Sequence, residues 1–305
     1  MSQITSHLLM IRPASFGFNE QTAESNAFQQ RNPGQQEVQQ KALQEFDAFV
    51  TLLTSQGLDV TVIEDTAEPH KPDAIFPNNW VSFHENGDVL MYPMQAENRR
   101  LERNEAVIRK LEERFKVNHI IDLSRFEVQH KFLEGTGSMV LDRENKIAYA
   151  CLSPRTDKEV LKTFCEHLQY NAVTFNAIDA RQQAIYHTNV MMCVGAKFAV
   201  ICLDSIQDIS ERDAIIQSLE STGKEIVAIS LDQMNHFAGN MLEVQNKDGQ
   251  SLLVMSQSAY RSLNPEQIRV LEGLTKIISA DLNTIETIGG GSARCMLAEV
   301  HLPVV

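Results

Sequence analysis

Trp80–Met94, WVSFHENGDVLMYPM, alternates apolar and polar side chains on either side of Asn86-Gly87. A period of two broken by an Asn-Gly pair marks a β-hairpin, because that pair supplies the positive φ a tight turn needs. Three further stretches read the same way: Met139–Ser153 (MVLDRENKIAYACLS) around Asp142–Lys146, Val190–Leu203 (VMMCVGAKFAVICL) around Gly195, and Met241–Gln257 (MLEVQNKDGQSLLVMSQ) around Asp248-Gly249. A helical pattern and then a short strand follow each one. The helices are expected around Asn98–Phe115, Asp157–Leu168, Asp208–Ser221 and Pro265–Ile277. The strands are expected near His119–Asp122, Ala172–Asn176, Glu225–Ser230 and Asn283–Thr287.

A fifth unit opens at Arg294–His301 and runs out of chain before a second strand. The other end supplies what is missing: a strand at His7–Arg12, a helix near Gln35–Gln56 and a strand at Val60–Glu64. The expectation is an α/β ring of five repeated units, its last blade completed by the first segment, with no exposed sheet edge. Regular spacing and complementary ends favour this over an ordinary mixed α/β sandwich. No Pro/Gly/Ser-rich linker divides the chain, so residues 1–305 read as one domain.

Composition narrows the function. The chain is 43% hydrophobic, enough for a substantial core, and carries a formal net charge of −13. Its 27 Lys and Arg are scattered, with no basic block, so nucleic acid is not an expected partner. The segment MSQITSHLLMIRP lacks the pattern of a secretory signal, and no apolar run reaches the ~20 residues that span a bilayer. Five cysteines, an odd number spread thinly, fit free thiols in a reducing cytoplasm. Cys151, Cys165, Cys193 and Cys202 read as small core residues. The histidines show no HExxH or similar metal spacing, and no GxGxxG or phosphate loop follows a strand. Neither a metal nor a nucleotide cofactor is expected.

The residues leading into the five hairpins are Asn78-Asn79, Glu134, His187 with Asn189, Asn240 and Cys295. Successive separations from Asn79 onward are 55, 53, 53 and 55 residues. In a ring, equivalent positions point to one axial end, so a thiol, an imidazole, a carboxylate and amides would share one cleft. Polar groups gathered there are costly unless bonded or used. Taken singly, each has a plainer reading. Gly289–Met296 (GGGSARCM) is either a close approach of backbone to a ligand or a tight turn before a core cysteine. Arg294 beside the thiol could help to hold a thiolate. A lone His at a strand start is usually structural, and Glu134 could be a turn residue. Three in register with the repeat are harder to explain that way.

Leu133-Glu134-Gly135-Thr136-Gly137, His187-Thr188-Asn189 and Gly290-Gly291-Ser292-Ala293-Arg294-Cys295 together resemble the motifs of the guanidino-group-modifying superfamily. That superfamily has the pentein fold, a five-bladed α/β propeller, and includes arginine deiminase, dimethylarginine dimethylaminohydrolase and glycine amidinotransferase. The resemblance runs from about Arg12 to Val300. The opening, Arg12-Pro13, Phe16-Gly17-Phe18-Asn19, Thr22-Ala23 and Asn26-Ala27-Phe28-Gln29, is most similar to that of citrulline-utilisation hydrolases. The resemblance implies that Cys295 attacks the central carbon of a ureido or guanidino group, giving a thioester-like or thiouronium intermediate. His187 would carry protons and Glu134 would orient it. It further implies Asp73 for the substrate α-amine and Arg155 for the α-carboxylate, with Arg99 or Arg100 a second candidate for the latter. The plainer reading of each arginine is a solvated surface charge; for Arg155 the functional role is preferred, and between Arg99 and Arg100 the choice stays open.

One departure bears on the substrate. Where dimethylarginine hydrolases carry acidic residues against the cationic guanidinium, this chain has Asn78 and Asn79, and Asn189 stands where deiminases and amidinotransferases have Asp. An asparagine offers both a donor and an acceptor, which suits a neutral ureido group. The expected reaction is therefore hydrolysis of citrulline, a small amino acid, to ornithine, CO2 and ammonia. Arginine or dimethylarginine hydrolysis, amidinotransfer and a non-catalytic pentein are the alternatives.

Overall fold

The computed structural model describes residues 2–23, 26, 28–30 and 34–305, so Ala27 of the opening motif lies outside the described residues. The chain begins with strand β1 (His7–Arg12), a short helix α1 (Glu20–Ala23), the long helix α2 (Gln35–Ser55) and β2 (Asp59–Glu64). Four hairpin–helix–strand units follow. The first is β3 (Val81–Phe83), β4 (Asp88–Met91), α3 (Glu105–Glu112) and β5 (His119–Asp122). The second is α4 (Gly135–Ser138), β6 (Val140–Asp142), β7 (Ile147–Cys151), α5 (Lys158–Leu168) and β8 (Asn171–Phe175). The third is α6 (Thr188–Met191), β9 (Met192–Val194), β10 (Phe198–Ile201), α7 (Ile209–Ser221) and β11 (Glu225–Ala228). The fourth is α8 (Leu231–Asn235), β12 (Leu242–Gln245), β13 (Ser251–Ser256), α9 (Gln257–Ser262), α10 (Pro265–Leu274) and β14 (Lys276–Ala280). A π-type turn at Ile285–Gly289 and strand β15 (Ala298–Glu299) end the chain.

These strands make five three-stranded sheets of one plan: β15-β1-β2, β3-β4-β5, β6-β7-β8, β9-β10-β11 and β12-β13-β14. In each, the first strand pairs antiparallel with the middle one, and the third returns parallel after a crossover. The crossover is a helix because a parallel return must traverse the sheet's length. Side-chain caps set where these helices start: Asn104 for α3, Asp157 for α5, Asp208 for α7 and Asn264, followed by Pro265, for α10. As expected from the sequence, β15 joins β1, with Leu8 opposite Glu299, so the two chain ends build one sheet.

Adjacent sheets share cores. Leu9 and Ile11 of β1 pack with Val81, Phe83 and Val89; Leu90 and Tyr92 pack with Leu141, Ala148 and Ala150. Val140 and Tyr149 join a core with Phe198, Val200 and Leu253, and Val244, Leu252 and Val254 meet Leu8 and Met10 again. Helix α2 buries Val38, Ala42, Phe46, Phe49 and Leu53, one stripe of its surface, over that last core.

Three expectations need correction. Asn283–Thr287 is not a strand; the fourth unit's outer strand is Lys276–Ala280, immediately after a helix that ends at Leu274. The helix expected over Asn98–Phe115 is broken into a 3-10 turn at Glu97–Glu102 and α3, because Asn104 turns out of the helix to cap the second piece. The sheets are also not closed. The strands β2, β5, β8, β11 and β14 remain edges, and their exposed positions, such as His119, Ile120 and Asp122, face solvent. They are four to six residues long, and all but β8 carry a charged residue, the usual protection of an edge. Among the described residues no helix is long and apolar enough to cross a membrane.

Candidate active site

Each hairpin is entered by a tight turn, and the turns bring the in-register residues together. Asn78 and Asn79 sit in the 3-10 turn Pro77–Asn79; Glu134 and His187 are the residues just before α4 and α6. The α4 turn packs against both the Pro77–Asn79 turn and α6. Asp73, Asn79, Arg155, His187 and Cys295 line one cavity, with Thr22, Asn26, Phe76, Arg99, Tyr186 and Gly289–Gly291 completing its wall.

Cys295 is buried, and its Sγ accepts from two amides, Asn240 Nδ2 at 3.2 Å and Asn189 Nδ2 at 3.5 Å. Asn240 is itself fixed: Nδ2 also donates to the Asn189 carbonyl at 2.9 Å, and Oδ1 accepts the Arg294 backbone N–H at 3.0 Å. Burial pushes Cys151 and Cys193 up to about 12 and Cys165 and Cys202 up to about 11, which keeps them as inert thiols.

His187 Nε2 and Glu134 Oε2 are 2.8 Å apart, both groups fully enclosed. Burial would push the Glu134 carboxyl up, but the Arg155 charge, the bond from His187 and the charges of His187 and Arg99 hold it well below the usual carboxylate range. An ionised Glu134 can only accept, so Nε2 of His187 carries the proton and Nδ1 the lone pair. Burial also pushes His187 down to about 4, against the bond and charge of Glu134, so the ring is neutral at pH 7. Gln95 N–H donates to the second Glu134 oxygen at 3.0 Å.

Arg155 lies with Nη1 3.5 Å from Glu134, Nη2 donating to the Thr22 carbonyl at 3.1 Å, and its guanidinium 4.8 Å over the Tyr186 ring. Arg99 is held by Glu102 through two bonds of 2.8 Å and donates to Asn79 Oδ1 at 2.9 Å. That bond fixes the Asn79 amide and leaves its Nδ2 without a partner. Asp73 accepts from Asn19 Nδ2 at 2.7 Å on Oδ2, and its buried Oδ1 has no partner. Burial pushes Asp73 up, against the pull of Arg99 and Asn19.

Some expected residues stand elsewhere. Asn78 is completely buried behind the cavity, donating to Thr136 Oγ1 at 3.3 Å. Asn189 reaches the thiol but lines a second small cavity on the far side, with Gln3, Glu243 and Glu299. Arg100 is not on the wall: it donates to the Met94 and Gln95 carbonyls and faces Glu127. Arg294 does not turn to the thiol either; its guanidinium donates to the Leu297 carbonyl and to Glu299. Arg99 thus takes the place offered to Arg100, and Asn240, in register in the sequence, proves to be the nearer donor to sulfur. Among the described residues no group of three or more His, Cys, Asp or Glu is placed to hold a metal ion.

The sequence profile of the family described as N,N dimethylarginine dimethylhydrolase, eukaryotic, matches residues 12–302. Among curated proteins none matches the sequence. Of solved structures, the N-terminal domain of ArgZ, an arginine dihydrolase from the ornithine-ammonia cycle in cyanobacteria, superposes with a TM-score of 0.77 at 17% identity, over 98% of this chain and 99% of that domain. Unliganded AgrE gives 0.75 at 16% identity, over 98% of this chain and 40% of the longer one. A dimethylarginine dimethylaminohydrolase, as an adduct with S-methyl-L-thiocitrulline, gives 0.66 at 15% identity, over 97% and 99%. At these identities the superpositions speak for the fold, while the profile, covering nearly the whole sequence, speaks for descent. The chain belongs to the N,N dimethylarginine dimethylhydrolase family, hydrolases acting on carbon–nitrogen bonds within the pentein-fold guanidino-group-modifying superfamily.

Proposed function

We propose that this protein hydrolyses L-citrulline to ornithine, CO2 and ammonia, with residues 1–305 forming one catalytic domain of five blades about a common axis. Cys295 Sγ attacks the ureido carbon, and the thiol proton passes to the neutral His187 ring at Nδ1. The resulting imidazolium, held by Glu134, returns that proton to the departing nitrogen as the C–N bond breaks. His187 then takes a proton from water, which attacks the carbonyl of the thiocarbamate and frees the thiol. Departure of ornithine first gives carbamate, which falls to CO2 and ammonia. Departure of ammonia first gives the same products after hydrolysis. Asn240 and Asn189 donate to the sulfur and steady its charged form.

The observation that carries the substrate choice is the charge of the cavity wall. Its ionic residues are one carboxylate, Asp73, and two guanidiniums, Arg99 and Arg155. Glu134, the next carboxylate, is already matched by Arg155 and His187. Arg99 is in turn matched by Glu102, so Asp73, its Oδ1 unpartnered, is the one carboxylate left open to a ligand; once it holds the α-amine none remains for a cationic guanidinium, and desolvating that charge without a partner is costly. A neutral ureido group fits, its carbonyl accepting from the unpartnered Nδ2 of Asn79. Asp73 Oδ1 would take the α-amine, and Arg155 or Arg99 the α-carboxylate. The family's name favours a second reading, hydrolysis of methylated arginine.

Purified protein given L-citrulline, L-arginine, agmatine or dimethylarginine separately decides between them. Ornithine and ammonia from citrulline, lost in Cys295→Ala, are expected, with arginine slower in kcat/KM by about tenfold or more. Citrulline made from either arginine would overturn the substrate while keeping the nucleophile. Ornithine formed only when an amine acceptor is present would mark a transferase, and silence on all four would favour a binding protein.

A further inference from the structure

Behind the glycine run that precedes the thiol stands a buried acid with no ion-pair partner among the described residues. Glu286, 6% exposed, lies in the Ile285–Gly289 turn and accepts the Ser292 hydroxyl on Oε1 at 2.5 Å. The nearby Ser256 hydroxyl also favours the charged form of this carboxyl. Ser292 in turn offers its carbonyl to the Cys295 N–H at 3.0 Å. Two bonds therefore join this carboxyl to the backbone of the nucleophile. Among the described residues the run is gripped from the other side by neutral groups: Asn26 and Tyr186 on the Gly290 carbonyl, and Gln29 on that of Gly289.

We propose that Glu286 is a positioning residue for the thiol, fixing through Ser292 the turn that presents Cys295 to the cavity, with a grip that changes when the carboxyl gains or loses a proton. An ionised carboxylate holds the Ser292 hydroxyl by a charge-assisted bond. The neutral acid is the weaker acceptor, so its hold on Ser292 loosens. Burial pushes the group up to about 7, against the Ser292 bond and the pull of the Ser256 hydroxyl. Glu45 of α2 and Asp281 after β14 add to the rise, and Asp179 and Arg181 share with Glu286 the wall of a neighbouring cavity. That cavity gives protons a route to the carboxyl. The inference rests on Cys295 as nucleophile but not on the choice of substrate.

The test reads the thiol without any substrate. Alkylation of Cys295 by iodoacetamide is followed by peptide mass spectrometry from about pH 5 to 9. Wild type is expected to show a step near the Glu286 ionisation, about 7, beside the thiol's own titration. Glu286→Gln keeps an acceptor for Ser292 and should react within about threefold of wild type while losing the step; Glu286→Leu should be slower by about tenfold or more. A glutamine variant that keeps the step, or a leucine variant as fast as wild type at every pH, overturns the proposal. Should the leucine variant fail to fold, the glutamine profile decides alone. Inertness toward citrulline with the step present would reject the substrate and leave Glu286 in its role. A missing step in a citrulline-active enzyme would do the reverse.

Discussion

Gly137 shows how little slack the site has. A Cβ on it would stand 2.4 Å from Asn79 Nδ2 and 2.8 Å from His187 Nδ1, the two groups proposed to touch the ureido carbonyl and move the proton. Gly137→Ala should therefore fold and fail: both side chains can swing, and a shift of about 1 Å costs on the order of a hundredfold in kcat. Activity within about fivefold of wild type would remove these two groups from the chemistry. Gly135, two residues earlier, is the opposite case. Its φ is +47°, and a Cβ there meets the Asn78 backbone carbonyl at 2.2 Å. Backbone cannot swing, so Gly135→Ala should lose about 2 kcal/mol or more in urea unfolding; a loss under about 0.5 kcal/mol would contradict that reading. The sequence exposed the in-register residues because the repeat fixes where they fall. It could not separate Arg99 from Arg100, since neighbours on a 3-10 turn face different ways and only the packing of Glu102 and Asn79 decides which turns inward.

Among the elements, the sheet shared by the chain ends depends most on long-range contact. Strand β15 is two residues long, so β1 and β2 are held by α2 lying across them. Phe46 is fully buried at the middle of that helix. Phe46→Ala should cost about 3–5 kcal/mol in denaturant unfolding, with the midpoint falling at unchanged slope. A cost below about 1 kcal/mol would make α2 peripheral to the closure. The hairpins were legible because their period of two and their turn residues are local signals. Lys276–Ala280 was not. Its isoleucines, Ile277 and Ile278, fit the end of α10 as well as a strand, and the one nearby breaker, Gly273, falls inside the helix's last turn. Pairing with β13, Leu252 opposite Lys276 through Ser256 opposite Ala280, settles it, and that information is not local.

At the scale of the whole molecule, two clusters of buried charge flank the segment that carries Cys295. The cavity cluster joins Glu134, Arg155, Arg99 and His187. The other joins Glu299 to Arg294, Arg143 and His301. Arg294 and Cys295 are neighbours in sequence, yet one serves each cluster. The second cluster has a consequence for stability that does not depend on the reaction. Burial, and after it the Arg143 charge, pushes His301 down to about 4, although Glu299 pulls the other way. The unfolded chain binds a proton at this histidine near pH 6.5, whereas the native protein refuses it until about pH 4. Between those values the unfolded state holds more protons, so this residue's share of stability is intact above about pH 6.5 and drains as the pH falls. Other buried groups titrate in the same range, Glu286 in the opposite sense. The measurement must therefore be a difference. Urea unfolding of wild type and His301→Gln at several pH values between about 7 and 5 should show the variant losing less stability on acidification, by roughly 1 kcal/mol per pH unit. Parallel curves would mean that His301 takes up its proton equally readily folded and unfolded, and that burial in this cluster does not exclude it.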